Sequence, residues 1–121
     1  MYVETSELSD DPVQVYLREA CSVPELTKDE EVELSRHVLA KDEDAEFAGV
    51  RLLEANLRLV VAVAERYREA GADVFTLIQK GNEALLLALK TLPDNPDQRF
   101  SEHATAYVHN AIAKTVEESR A

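Results

Sequence analysis

Arg99, His103, Tyr107, Asn110 and Lys114 recur at steps of three and four near the end of a chain of 121 residues. On a helix turning about 100° per residue they fall within a band of about 80°, opposite Ala104, Val108, Ala111, Ile112 and Thr115. A guanidinium, an imidazole, a phenol, an amide and an ammonium on one helix side are groups that can hold a nucleic acid. Cations meet phosphate, rings stack on bases, and amides read base edges. The same five residues also suit a helix face that is merely solvated, and the residues alone leave both readings open.

Other chemistry finds little support. His103 and His109 are six positions apart and point in different directions on a helix, and no cysteine or histidine cluster has metal-ligand spacing, so no metal site is expected. The three glycines are scattered and form no phosphate-binding loop. Carboxylates are plentiful but lie in acidic runs that read as solvated faces. Cys21, the single cysteine, has no basic or histidine neighbour in sequence to activate it and reads as a small buried hydrophobe. The expectation is a protein that is not an enzyme and uses no cofactor.

Composition bounds the rest. With 45% hydrophobic residues the chain can build one compact core. It contains no run of about 18 apolar residues and no basic-then-apolar leader, so a cytoplasmic protein without membrane contact is expected. The net charge of -11 is unevenly spread: residues 1–49 hold 14 Asp/Glu against 4 Lys/Arg, and residues 50–121 hold 10 against 9. Phosphate neutralisation supplies most non-specific nucleic-acid affinity, so any DNA contact must be local.

The elements that position these residues are all helical. Residues 1–10 carry no periodic apolar pattern and read as a loose arm. Asp11 and Pro12 then start a short amphipathic helix carrying Val13, Tyr16, Leu17 and Ala20, which ends near Ser22 because Pro24 disfavours helical geometry at Val23. Thr27 to Glu30 fits a capping box that opens a second helix running to about Lys41, with Val32, Leu34, Val38 and Leu39 as a narrow buried stripe. A long helix is expected over roughly 45–70, with Val50, Leu53, Leu57, Val60, Ala64 and Tyr67 as its packing seam. Asn56 beside that seam reads as a hydrogen-bonded structural residue, and Gly71 as the C-cap.

Asp73 can cap a fourth helix, from Val74 to about Leu92, that buries Phe75, Ile78, Leu85 and Leu89. Thr76, Gln79, Lys80, Glu83 and Lys90 face outward, and so do Leu86 and Leu87, which either pack under another layer of the fold or anchor a partner. Gly81, costly in a helix interior, predicts close approach of a neighbouring backbone. After the joint at Pro93–Pro96, Ser101 can cap a fifth helix, which carries the polar band. No strand pattern or internal repeat appears. The fold class is all-α, a bundle of about five helices.

The stretches LLEANLRLVVAVAERY (52–67), LIQKGNEALLLAL (77–89) and FSEHATAYVHNAIAKTV (100–116) resemble region 2 of the bacterial sigma-70 family of RNA polymerase subunits, and residues 11–38 resemble the segment preceding it in primary-type members. The likeness divides the chain into the arm (1–10), the N-terminal helices (11–41) and a region 2-like domain (45–121). It implies a truncated, divergent member, without the later part that reads the minus-thirty-five element. By the resemblance, Thr76, Gln79, Lys80, Asn82 and Leu86 dock on the clamp of the largest subunit of core RNA polymerase. Thr76 and Lys80 depart from it, standing where the family generally has acids.

The joint and last helix match the part that melts promoter DNA and reads the minus-ten element. Two adjacent tryptophans of the family are replaced there by Ala106 and Tyr107, and the preceding stretch TLPDNPDQR is one residue longer, with no aromatic and a single arginine. The resemblance therefore implies weakened or altered promoter contact through the reduced set Arg99, His103, Tyr107, Asn110 and Lys114. A protein-only module, binding a sigma or anti-sigma-type partner, is the competing expectation.

Overall fold

The computed structural model describes residues 15, 18–19, 22–94 and 98–119, all helix, turn or loop, with no strand among them. The expected arm, most of the expected first helix, Cys21 and the centre of the joint lie outside the described residues. Among the described residues, no helix is long and apolar enough to cross a membrane.

The helix α1 (Lys28–Ala40) begins as its sequence requires. Thr27 Oγ1 accepts the Glu30 N–H at 3.1 Å, and the Glu30 carboxylate accepts the Thr27 N–H at 2.8 Å, so two orphan donors are satisfied reciprocally. Its stripe differs from expectation. Val32, Leu34 and Val38 are half-buried and Leu39 is exposed, whereas the fully buried positions are Glu31 and Ser35.

The expected long helix is broken into α2 (Ala45–Ala55) and α3 (Leu57–Arg66), with a 3-10 turn at Arg68–Ala70 and Gly71 beyond it at φ 91°. The break is made by Asn56, whose Nδ2 donates to the Leu52 carbonyl at 2.8 Å. That side chain takes the acceptor which the Asn56 backbone N–H would use in a continuous helix, and the N–H turns to Leu53 instead. The interruption shifts the phase of the buried face. Ala48, Gly49 and Leu52 point inward before it and Val60, Val61, Val63 and Ala64 after it, while Val50, expected in the seam, is 48% exposed.

Helix α4 (Val74–Lys90) is capped by Asp73, whose carboxylate accepts the Thr76 N–H and hydroxyl. Its inward face is Val74, Leu77, Ile78, Gly81, Ala84, Leu85 and Ala88. Phe75, expected on that face, lies at its outer edge because Val74 takes the inward position one residue, or about 100°, earlier. Helix α5 (Phe100–Ser119) buries Phe100, Ala104, Val108, Ile112 and Val116, every fourth residue, a single ridge along the helix. That ridge lies along α4 in the most extensive helix pairing of the fold. A Cβ at Gly81 would stand 2.6 Å from Val60 Cγ1 and 3.1 Å from Ile112 Cδ1. The close approach expected at Gly81 is therefore made by side chains of α3 and α5 rather than by a backbone.

The α1–α2 turn holds a small electrostatic cluster. His37 Nδ1 lies 2.6 Å from Asp42 Oδ2, and His37 Nε2 lies 3.4 Å from Glu33. The hydrogen bond to Asp42 raises the His37 pKa, helped by the charges of Asp42, Asp44 and Glu33, and the same bond lowers that of Asp42. The pair therefore stabilises the fold most between about pH 4 and 6.5. Its contribution is lost as pH falls through the depressed Asp42 value and as pH rises through the elevated His37 value. An NMR titration of the His37 ring is expected to give a midpoint above about 6.5 that falls in Asp42→Asn and with added salt; a midpoint unchanged in that variant would remove Asp42 as the cause.

Candidate functional site

Two surfaces collect the residues singled out from the sequence. The first is the outer side of α4. Taking about 100° per residue, Phe75, Gln79, Asn82 and Leu86 share one face of the helix, and they line a groove of about 510 Å³ together with Ile78 and Glu83. Leu86 is 42% and Leu87 50% exposed, so no further layer of the described fold covers these leucines. Three of the five docking residues, Gln79, Asn82 and Leu86, are thus brought together. Thr76 and Lys80 are exposed beside the groove, Thr76 in the cap with Asp73 and Lys80 with its ammonium 3.8 Å from Glu83. Sequence reasoning missed Phe75 and Ile78 as groove residues because it placed both in the core.

The second surface is the start of α5 and its polar band, which the fold divides. Arg99 Nε donates to Glu31 Oε1 at 2.9 Å and its Nη2 to the Leu26 carbonyl at 3.1 Å. The bond to Glu31 pushes the Arg99 pKa above its ordinary value. His103 Nε2 lies 3.1 Å from the Ala88 carbonyl, and Tyr107 Oη is hydrogen-bonded to Thr91 Oγ1 at 2.9 Å. Thr91 Oγ1 in turn bonds the Leu87 carbonyl at 2.9 Å. His103 and Tyr107, with ring centroids 5.0 Å apart, therefore help to close the C-terminal end of α4, where helix carbonyls lack intrahelical partners. Asn110 and Lys114 remain exposed.

Ser101 is not the cap of α5. Its first helical bond runs from the His103 N–H to the Arg99 carbonyl at 3.1 Å, and Glu102 accepts the Arg99 N–H at 3.2 Å. Ser101 lies inside the first turn, and its N–H and hydroxyl both donate to Glu31 Oε1, at 3.3 and 3.0 Å. Asn56 Nδ2 reaches Glu31 Oε2 at 3.4 Å. Glu31, 2% exposed, is thus held by three residues from two distant parts of the chain. The signal that could have found it is a carboxylate sharing a helix side with Leu34, Ser35 and Val38.

His37, Asp42 and Asp44 bring one potential metal ligand each within 4.8 Å of one another. The His37–Asp42 hydrogen bond already occupies two of these ligands, so an ion would have to displace it.

Residues 11–44 match the model for Sigma-70 factor, region 1.2, and residues 52–120 match that for Sigma-70 region 2. The chain belongs to the sigma-70 family. Similar proteins include the RNA polymerase sigma factor SigA of Lactococcus lactis subsp. cremoris, 40% identical over 114 residues that cover 94% of this chain and 31% of the relative. The SigA proteins of a Bacillus species and of Listeria monocytogenes are 42% and 41% identical over 107 residues, covering 88% of this chain and 28% of each relative. This sigma-70 family chain therefore spans about a third of the length of the curated relatives it matches. The break at Asn56, the α4 groove and the divided polar band all fall within the region 2 match.

Removal of the Glu31 carboxylate would leave the Ser101 N–H and hydroxyl without their acceptor and Arg99 with only the Leu26 carbonyl. Glu31→Ala is expected to lower the unfolding free energy by about 2–4 kcal/mol in urea melts followed by circular dichroism. A loss below about 0.5 kcal/mol, the scale of an ordinary surface substitution, would show that Glu31 does not organise the site.

Proposed function

We propose that this chain acts in transcription initiation as a sigma-type protein, docking on the largest-subunit clamp of core RNA polymerase and touching minus-ten promoter DNA only weakly. The observation that carries the proposal is the outward groove on α4, where Gln79, Asn82 and Leu86 meet Phe75. A half-exposed apolar groove rimmed by amides suits a helical protein partner, because burying Leu86 and Phe75 supplies affinity and the amides fix register. Thr76 and Lys80 supply no carboxylate to basic groups on the clamp, which weakens this docking relative to typical family members. Exposed pairs contribute at most about 1 kcal/mol each, so the apolar contacts decide whether the complex forms.

Promoter contact is weakened for two separate reasons. Ala106 offers no ring for stacking, and Arg99, His103 and Tyr107 already have hydrogen-bond partners within the chain. A net charge of -11 adds general repulsion of phosphate. The same observations favour a second reading, a protein-only module that binds a sigma or anti-sigma-type partner and no DNA. Salt separates the two, since DNA affinity falls steeply as salt rises and an apolar protein contact does not.

In size-exclusion chromatography with core RNA polymerase, the chain is expected to co-elute. Leu86→Asp is expected to weaken that complex at least about thirtyfold, equivalent to about 2 kcal/mol, with helical content unchanged. Co-elution of the variant at full strength would clear α4 of the contact. For single-stranded minus-ten DNA, Tyr107→Ala is expected to cost about 1–3 kcal/mol of affinity in fluorescence anisotropy if Tyr107 stacks on a base. Equal affinity of the two proteins would leave Tyr107 as only a structural clasp on α4.

A further inference from the structure

Helices α1 and α2 leave a second groove between them, of about 520 Å³. Its apolar lining is Leu26, Leu34 and Phe47, and its rim carries Asp29, Glu30 and Glu33. Phe47 is 67% exposed, the most exposed of the large apolar side chains in the described fold. An isolated surface phenylalanine needs no explanation, but this one forms a groove wall opposite two half-buried leucines.

The groove also contains Arg51, whose Nη1 is shut off from solvent and makes no hydrogen bond among the described residues. Buried polar groups rarely go unpartnered, but a nitrogen closed to water is closed to a docking ligand as well, so it does not select the occupant. Charge narrows the choice of ligand. Asp29 has no ion-pair partner among the described residues, Glu30 spends one oxygen on the Thr27 cap, and Glu33 is shared by exposed Arg36 and by His37. Three carboxylates on the rim repel a phosphate backbone and attract lysine or arginine.

We propose that this groove is a docking site for a basic amphipathic segment of a protein partner. One large apolar side chain of that segment sits among Leu26, Leu34 and Phe47, and flanking lysine or arginine residues pair with Asp29, Glu30 and Glu33. The site shares no residue with the α4 groove, so it is separate from the polymerase-docking surface proposed above.

The test is a titration of the isotope-labelled full chain, followed by amide NMR shifts, with three synthetic peptides: a leucine–lysine amphipathic helix, its alanine–lysine counterpart of equal charge, and its leucine–glutamate counterpart. The leucine–lysine peptide is expected to bind saturably and to shift the amides of Leu26, Leu34, Phe47 and Arg51. Binding should weaken by about tenfold or more in Phe47→Ala and in Asp29→Lys, both exposed positions where the fold is retained. Equal binding of the alanine–lysine peptide would overturn the proposal by reducing the contact to general attraction towards an acidic chain. Equal binding of the leucine–glutamate peptide, or shifts confined to α4, would overturn it equally. Movement of the same four amides by an oligodeoxynucleotide would reassign the groove to nucleic acid.

Discussion

The carboxylate of Glu31 is the point through which distant parts of this chain are fixed to one another. It lies on α1, yet its partners are Asn56 at the α2–α3 break and Arg99 and Ser101 at the start of α5, up to 70 residues away in sequence. Charge burial is costly unless the charge is paired and its lone pairs are used, and here Oε1 alone accepts three hydrogen bonds. The site therefore tolerates little displacement of any one partner. It sets where α5 begins immediately before Phe100, the largest fully buried side chain, and that start phases the every-fourth-residue ridge that packs on α4.

Local signals in the sequence specified most of the elements. The capping box at Thr27, the Asp73 cap and the left-handed position at Gly71 each require only a few neighbouring residues, and each occurs where the local chemistry places it. The failures share a different cause. Glu31 reads as one more solvated acid because its neighbours Asp29, Glu30 and Glu33 are exposed, and only its tertiary partners distinguish it. Asn56 was legible as a residue needing a hydrogen bond, but whether its amide would interrupt the helix depends on a choice between backbone and side-chain donors for the Leu52 carbonyl. Phe75 went to the wrong side because an amphipathic pattern weights large apolar residues heavily and cannot register that Val74 takes the inward place.

Of the two candidate surfaces, the α4 groove was the more legible. Outward leucines among polar residues leave open whether another layer of the fold or a partner covers them, and Leu86 and Leu87 are exposed in the described fold. The polar band was legible as a stripe and illegible as a function. Periodicity gathers Arg99, His103, Tyr107, Asn110 and Lys114 on one side, but it cannot say whether their hydrogen bonds point out to a ligand or back into the chain. Three point back, to Glu31, to Ala88 and to Thr91.

That inward commitment changes what the loss of the second aromatic means. A free ring at Tyr107 would stack on a base at no cost to the fold, whereas this phenol, with its neighbour His103, helps satisfy the end of α4 one turn beyond Leu86 and Leu87. A base stacking on the ring face would have to fit the orientation that the Tyr107–Thr91 hydrogen bond fixes. The Tyr107 clasp and the proposed docking face therefore share one small region of structure. The net charge of -11 reduces what phosphate contact can return.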